Sequence, residues 1–329
     1  MLKRRSRAAM ALLLGLALLL AAVGCAGEGQ QDTAQSFYSF TDDAGRRVVL
    51  EEKPEKVAVL LSSYADIWQL AGGEMSATVG ESVERGIAPE GVLLVDSGAG
   101  KTIDIELLLA SEPDLVICSA DLAGQIEAAE VLEEAGVAVA AFHVESFEDY
   151  LRVLKICTDL TENPGAYAAY GQAIQEQIQE TVARAQEKAE KQGKKRILFI
   201  RAGSSYSATK AKTAENHFAC KMLEELGAEN IADQAQTLLE GLSLEEILLQ
   251  NPDYLFISTM GDEQAAKEYM QSLFALPEWQ QLDAVRQGNY AFLPKELFHF
   301  KPNAKWAEAY AYLAERLDGA GNGGAGNAG

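Results

Sequence analysis

The chain reads as an α/β protein of two Rossmann-like lobes with parallel-rich sheets, joined by a single long α-helix, with a cleft between the lobes. Three observations predict this. Short runs that are apolar on both faces alternate with helix-like segments, as strands of a parallel sheet covered by helices must. One helix-strand unit occurs twice, at Ile105–Ser119 and Leu244–Ser258, an offset of 139 throughout, with Glu, Leu, Pro, Asp and Ser coinciding. Between the copies lies a long proline-free stretch with a narrow apolar stripe.

The first lobe is expected over residues 39–162. Its strand candidates are Lys56–Ser62, Ala77–Gly80, Leu93–Asp96, Leu115–Ser119 and Val137–Phe142, and an amphipathic helix follows the first of them through Ala65, Ile67, Trp68 and Leu70. The joining helix is expected over 163–193. Asn163 can cap it, Pro164 suits its first turn, and Tyr167, Tyr170, Ile174, Ile178 and Val182 recur on one side. A helix of about 27 residues is about 40 Å long, enough to lie across both lobes. Residues 194–318 form the second lobe, with strands at Arg196–Arg201, Tyr254–Ser258 and Tyr290–Leu293. Its helices run through His217–Leu226, Leu244–Gln250 and Trp306–Leu317. The Gly-, Asn- and Ala-rich residues 319–329 cannot pack and are expected to be disordered.

Before the first lobe, residues 1–24 read as an export signal: Lys3, Arg4, Arg5 and Arg7 precede an apolar run from Ala8 to Val23 that is short for a membrane span. Ala21-Ala22-Val23-Gly24-Cys25 resembles a bacterial lipobox, with Ala22 where Leu is usual. The resemblance implies a lipid on Cys25, the only covalent group expected, and residues 25–38 form a polar tether. The protein is then held on the extracytoplasmic face of the cell membrane. Removing the signal concentrates the charge: the whole chain, with 28 basic and 49 acidic side chains, carries −21, and loss of those four cations leaves about −25. Nucleic acid is excluded as a main partner, because neutralising phosphates requires clustered Lys and Arg. Cys118, Cys157 and Cys220 share no metal-ligand spacing, and two of them fall in predicted core elements. All three are expected to remain thiols.

The order of several segments resembles a known family. They are Phe40-Thr41-Asp42-Asp43-Ala44-Gly45-Arg46, Lys53–Leu60, the two repeated units, Leu226–Ala232 and Leu282–Tyr290. Together they look like a class III ABC-importer substrate-binding protein, similar over roughly residues 38–318. The resemblance implies a monomer that captures an iron chelate, a ferric siderophore, between its lobes and hands it to an ABC permease dimer driven by its ATPase. It also implies that Glu106 and Glu245, at equivalent positions of the repeat, dock the two lobes onto the two permease subunits. The competing reading is of solvated carboxylates near helix N-termini. Ligands of open α/β sheets sit beyond the carboxyl ends of the strands. The candidate contacts there are Ser63, Tyr64, Trp68, Lys101, Asp121 and His143 in the first lobe, and Arg201, Ser205, Tyr206, Met260, Phe298, His299 and Lys301 in the second. Aromatics suit the apolar rim of a chelate and cations its oxygens, whereas Tyr64 and Trp68 could equally be core.

Other ligands and classes stay open. The same fold can take haem, with His299 or a tyrosine as an axial ligand, or a cobalamin-type corrinoid. His143, His217 and His299 with Asp121 or Glu296 could instead hold bare zinc or manganese, although no metal site is expected and His217 reads best as a surface or capping residue. A secreted α/β enzyme is the remaining class. It is disfavoured because no Gly-x-Ser-x-Gly elbow, P-loop, GxGxxG turn or His-Glu-x-x-His is present.

Overall fold

The computed structural model describes residues 36–97 and 102–319. The signal segment, Cys25, most of the tether, Lys101 and the tail beyond Gly319 lie outside the described residues. Strands β1 (Tyr38–Thr41) and β2 (Arg47–Leu50) form an antiparallel hairpin. Its turn explains the Phe40–Arg46 segment. Asp42 accepts from the amides of Ala44 (3.1 Å) and Arg46 (2.8 Å), pairs with the Arg46 guanidinium at 2.7 Å, and accepts from Ala141 N at 3.0 Å. Gly45 supplies the positive φ of +79° that the turn needs. One buried carboxylate thus closes the turn and pins the hairpin to the first lobe.

That lobe contains a five-stranded sheet of β3 (Val57–Val59), β4 (Ala77–Thr78), β5 (Leu93–Leu94), β6 (Leu115–Ser119) and β7 (Ala138–Phe142). The order is β5-β4-β3-β6-β7, parallel throughout. The second lobe has β8 (Arg196–Ala202), β9 (Lys210–Ala211), β10 (Glu229–Asn230), β11 (Tyr254–Thr259) and β12 (Tyr290–Phe292). Parallel order β10-β8-β11-β12 is extended by β9, antiparallel to β8. The expected strands are present, the first three shorter than their apolar runs. Two-residue β9 and β10 and the hairpin were not anticipated, since so few residues show no period. Each sheet reverses its direction of growth once, between β3 and β6 and between β8 and β11. In open α/β sheets such switch points are where crevices form, at the carboxyl ends of the strands.

The repeat has a mechanical meaning. Asp104 and Ser243 cap the helices Ile105–Ala110 and Leu244–Gln250, accepting from Leu107 N and Glu246 N. Glu112 and Asn251 then stop them with left-handed φ of 49° and 41°. After the proline, Asp114 accepts from Lys56 N and Asp253 from Arg196 N, both at 2.8 Å, which aligns each new strand beside the lobe's first. Sequence identity at 139-residue spacing is therefore identity of a device that sets strand register.

The joining segment is helical from Pro164 to Gln192, but not uniformly α. Pro164–Tyr167 runs into a π turn at Ala168–Gln172 before the α-helix Ala173–Gln192, which Gly193 ends at φ +87°. The extra residue per turn rotates the stripe. Gly171, Ile174 and Ile178 are buried, whereas Tyr170 is exposed, a correction to the expected face. Tyr150 Oη donates to the Tyr170 carbonyl at 2.9 Å within that turn. A Cβ on Gly171 would meet Leu151 Cδ2 at 3.1 Å, so glycine allows the close approach.

The lobes share one core. Trp306, fully buried at the start of the last helix (Trp306–Gly319), packs edge-on against Phe147 of the first lobe (6.0 Å) and Phe218 of the second (5.6 Å). Just before it, fully buried Asn303 donates through Nδ2 to the Ser63 carbonyl and the Asp66 carboxylate, both at 2.8 Å. Truncation of Trp306 to alanine is expected to cost about 3–5 kcal/mol, read as a shift of the denaturant midpoint; a cost under about 1 kcal/mol would show that the lobes do not share this core. Cys118, Cys157 and Cys220 are buried free thiols, and burial pushes the first two up to about 12 and the third well above the ordinary value. A thiol reagent should therefore modify the native protein negligibly and all three once denatured. Rapid native labelling at any of them would contradict this packing.

Candidate functional site

The two switch points are built differently. In the first lobe, Gln125 spans the crevice. Its Oε1 accepts from Ser119 N and its Nε2 donates to the Leu60 carbonyl, both at 2.7 Å, and the side chain is buried. Ser119 Oγ in turn accepts from Asp121 N at 3.1 Å. In the second lobe Ser258, the repeat partner of Ser119, has a buried hydroxyl without a hydrogen-bond partner, as have Thr259 Oγ1 and Arg201 Nε beside it. An unmatched buried polar group costs about 1–3 kcal/mol. Three such atoms lie together at the carboxyl end of the second-lobe sheet, and Asn303 Oδ1 and Trp306 Nε1 are the other buried side-chain atoms without a partner among the described residues.

Around the first-lobe crevice, Ser62 Oγ donates to the Glu81 carboxylate and accepts from Arg85 Nη1 at 2.8 Å. The Arg85 guanidinium lies 4.0 Å over the Phe300 ring, a contact between the lobes. A second contact is the Lys301–Glu145 ion pair at 2.8 Å, and Lys301 Nζ also lies 4.9 Å over Phe218. Asp121 and His143, at the ends of β6 and β7, come together at 2.6 Å on an exposed edge.

The other sequence candidates divide by burial. Tyr64 (3 % exposed), Trp68 (2 %) and Phe298 (1 %) are core residues. Tyr64 Oη donates to the Phe142 carbonyl at 2.6 Å and Trp68 Nε1 to Glu74 O at 2.9 Å, so their polar ends are already used. The correction for these three is physical: they lie at strand ends in sequence, but helical pitch turns them inward. Ser63 is buried too, its carbonyl holding Asn303. By contrast Tyr206 (59 % exposed) and Met260 (45 %) stand out on the rim of the second lobe, with Ser205 and His299 also exposed. Tyr206 is presented by a tight loop. Thr209 Oγ1 accepts from Gly203 N and donates to the Ser205 carbonyl, and a Cβ on Gly203 would meet Ala208 Cβ at 2.5 Å.

Sequence reasoning did not single out Arg85, Glu145, Lys210, Lys212 or Ser258. The legible signal was Lys210 and Lys212 two residues apart after a Ser-rich loop in a strongly acidic chain. His217 caps the helix Phe218–Glu225, its Nδ1 accepting from Ala219 N at 3.2 Å, and its ring lies 4.4 Å from Phe199 and 5.1 Å from Phe218. Among the described residues no three His, Cys, Asp or Glu side chains are placed to share a metal ion. Glu106 and Glu245 are both exposed in first helical turns.

Burial, reinforced by the positive charges of Lys301, Lys212 and Arg201, pushes His217 from 6.5 down to about 3. Because the folded value is depressed, its contribution to stability is complete above the unfolded value and is lost as pH falls towards the folded one. A His217→Gln variant should therefore lose less stability on acidification between those two values than the parent, measured by urea unfolding at a series of pH values. Identical acid profiles would refute the assignment.

No curated relative matches the chain in sequence. Solved structures match its fold. SirA of Staphylococcus aureus, complexed with staphyloferrin B, superposes with a TM-score of 0.65 at 16 % identity over 85 % of this chain and 98 % of that one. The vitamin B12 binding protein BtuF of Vibrio cholerae gives 0.65 at 19 % identity over 82 % and 98 %. The periplasmic haem-binding protein RhuT from Roseiflexus sp. RS-1, in apo form, gives 0.61 at 17 % over 81 % and 98 %. Among the described residues no helix is long and apolar enough to cross a membrane. A family model for periplasmic binding proteins matches residues 57–297, from the first strand of the five-stranded sheet in the first lobe to the short helix Lys295–Phe298, and the chain belongs to that family.

Proposed function

We propose that the protein is the extracytoplasmic receptor of an ABC importer, anchored through lipid on Cys25, which captures a ferric siderophore between its lobes and presents it to a permease dimer. The observation that carries this reading is the convergence of the two sets of carboxyl-end loops, bridged by Arg85–Phe300 and Lys301–Glu145 beside a second-lobe crevice with unmatched polar atoms. Exposed Tyr206 and Met260 offer apolar contact on the rim of that crevice. The staphyloferrin B complex of SirA supports an iron chelate as ligand, while RhuT and BtuF keep haem and cobalamin as ligands the same fold accommodates.

The shared core at Trp306 and the long joining helix favour capture with little closure, because opening would break packing rather than flex a linker. Delivery falls to Glu106 and Glu245, equivalent by the repeat and exposed on separate lobes, which suits a two-fold partner. The acidic body would also steer encounter with a basic permease mouth. The double variant Glu106→Ala, Glu245→Ala should abolish uptake of the labelled chelate by cells while ligand-induced quenching of tryptophan fluorescence in the purified protein stays unchanged. Undiminished uptake would remove the docking role.

A further inference from the structure

The open crevice of the second lobe has a chemistry of its own. Arg201 is in register with Ser258 on one side and Lys210 on the other. Register partners share a face of a sheet, so these three side chains lie on one face, to which Lys212 returns two residues on. It is the face of Phe199 and Phe256, which belong to the core shared by the lobes. Among the described residues Arg201, Lys210 and Lys212 have no ion pair, in a chain whose net charge is −21. Their closeness is felt electrostatically: burial and then the Arg201 charge hold Lys212 below the usual lysine value. His217 adds no charge, and because its Nδ1 accepts a hydrogen bond, its neutral ring carries the proton on Nε2 as a further donor. Three uncompensated cations, an unpartnered Arg201 Nε and an unpartnered hydroxyl on Ser258, itself 4 % exposed, form a set of donors and positive charges that lacks only an anion.

We propose that this face is an anion subsite that takes carboxylate groups of the iron chelate, Arg201 forking onto one carboxylate, Lys210 and Lys212 neutralising its neighbours, and Ser258 donating beside them. A planar guanidinium matches a carboxylate with two parallel hydrogen bonds, and ammonium groups supply charge without demanding geometry. The inference rests on the chelate-receptor reading and narrows it: neutral or cationic trihydroxamates and corrinoids leave the cations uncompensated. Carboxylates could come from a ferric polycarboxylate or from the propionates of haem.

Purified protein is titrated with ferric citrate, haemin, ferrioxamine B and cyanocobalamin, following tryptophan quenching and, for haemin, the Soret band. Binding of ferric citrate or haemin that weakens with added salt, falls at least about tenfold in Arg201→Gln and severalfold in Lys210→Gln is the expected result. Which of the two ligands binds identifies the source of the carboxylates. Lys210 is exposed, so its variant remains informative if Arg201→Gln fails to fold. Tight binding of ferrioxamine B or cyanocobalamin alone would overturn the subsite and leave the receptor reading standing, as would carboxylate-chelate affinities unchanged in both variants. Failure of all four chelates to bind would overturn both.

Discussion

Burial of Trp306 between aromatic rings of both lobes is the constraint on which the rest of the molecule depends. The indole meets Phe147 from one side and Phe218 from the other, with Tyr150 and Tyr310 completing its surroundings. Burying a side chain of this size is worth several times a partly exposed ion pair, which contributes about 0–1 kcal/mol. The Lys301–Glu145 bridge, its side chains 21 % and 41 % exposed, can therefore align the lobes but not hold them. Packing holds them. Just upstream of Trp306, Lys301 and Asn303 bond across to Glu145 and the Ser63 carbonyl of the first lobe, ahead of the helix that the indole anchors.

The same core accounts for the long helix. Gly171, Ile174 and Ile178 pack onto the shared cluster, and Tyr150 satisfies a carbonyl in the π turn that brings Gly171 inward. A helix with mostly Gln, Glu, Lys and Ala on its outer side has little reason to be stable alone. It persists because one edge is buried, and because Gly193 releases the chain directly into β8.

The lobes resemble one another as scaffolds and differ as sites. Asp114 and Asp253 perform the same alignment of first strands, and Glu112 and Asn251 the same left-handed stop. Past the strand ends the equivalence fails. Gln125 fills the first crevice and satisfies both strand ends, whereas Ser258 and Arg201 in the second are left unmatched. Symmetry in the sequence thus located the architecture, and its breakdown falls where the anion subsite is proposed.

From its sequence alone the chain determined the two-lobe α/β class, the alternation of strands, the joining helix and the paired glutamates, because apolar period, proline and capping residues are local signals. Arg201, Tyr206, Met260 and the Asp121–His143 pair were legible as strand-end residues for the same reason. Tertiary structure alone decided which strand-end residues face inward: Tyr64, Trp68 and Phe298 serve the core, since a helix that starts two linking residues past the end of a strand rotates its side chains by an angle that no linear pattern records. It also decided that Lys210 and Lys212 meet Arg201, because a two-residue antiparallel strand has no period to read and its partner is chosen only when the sheet forms.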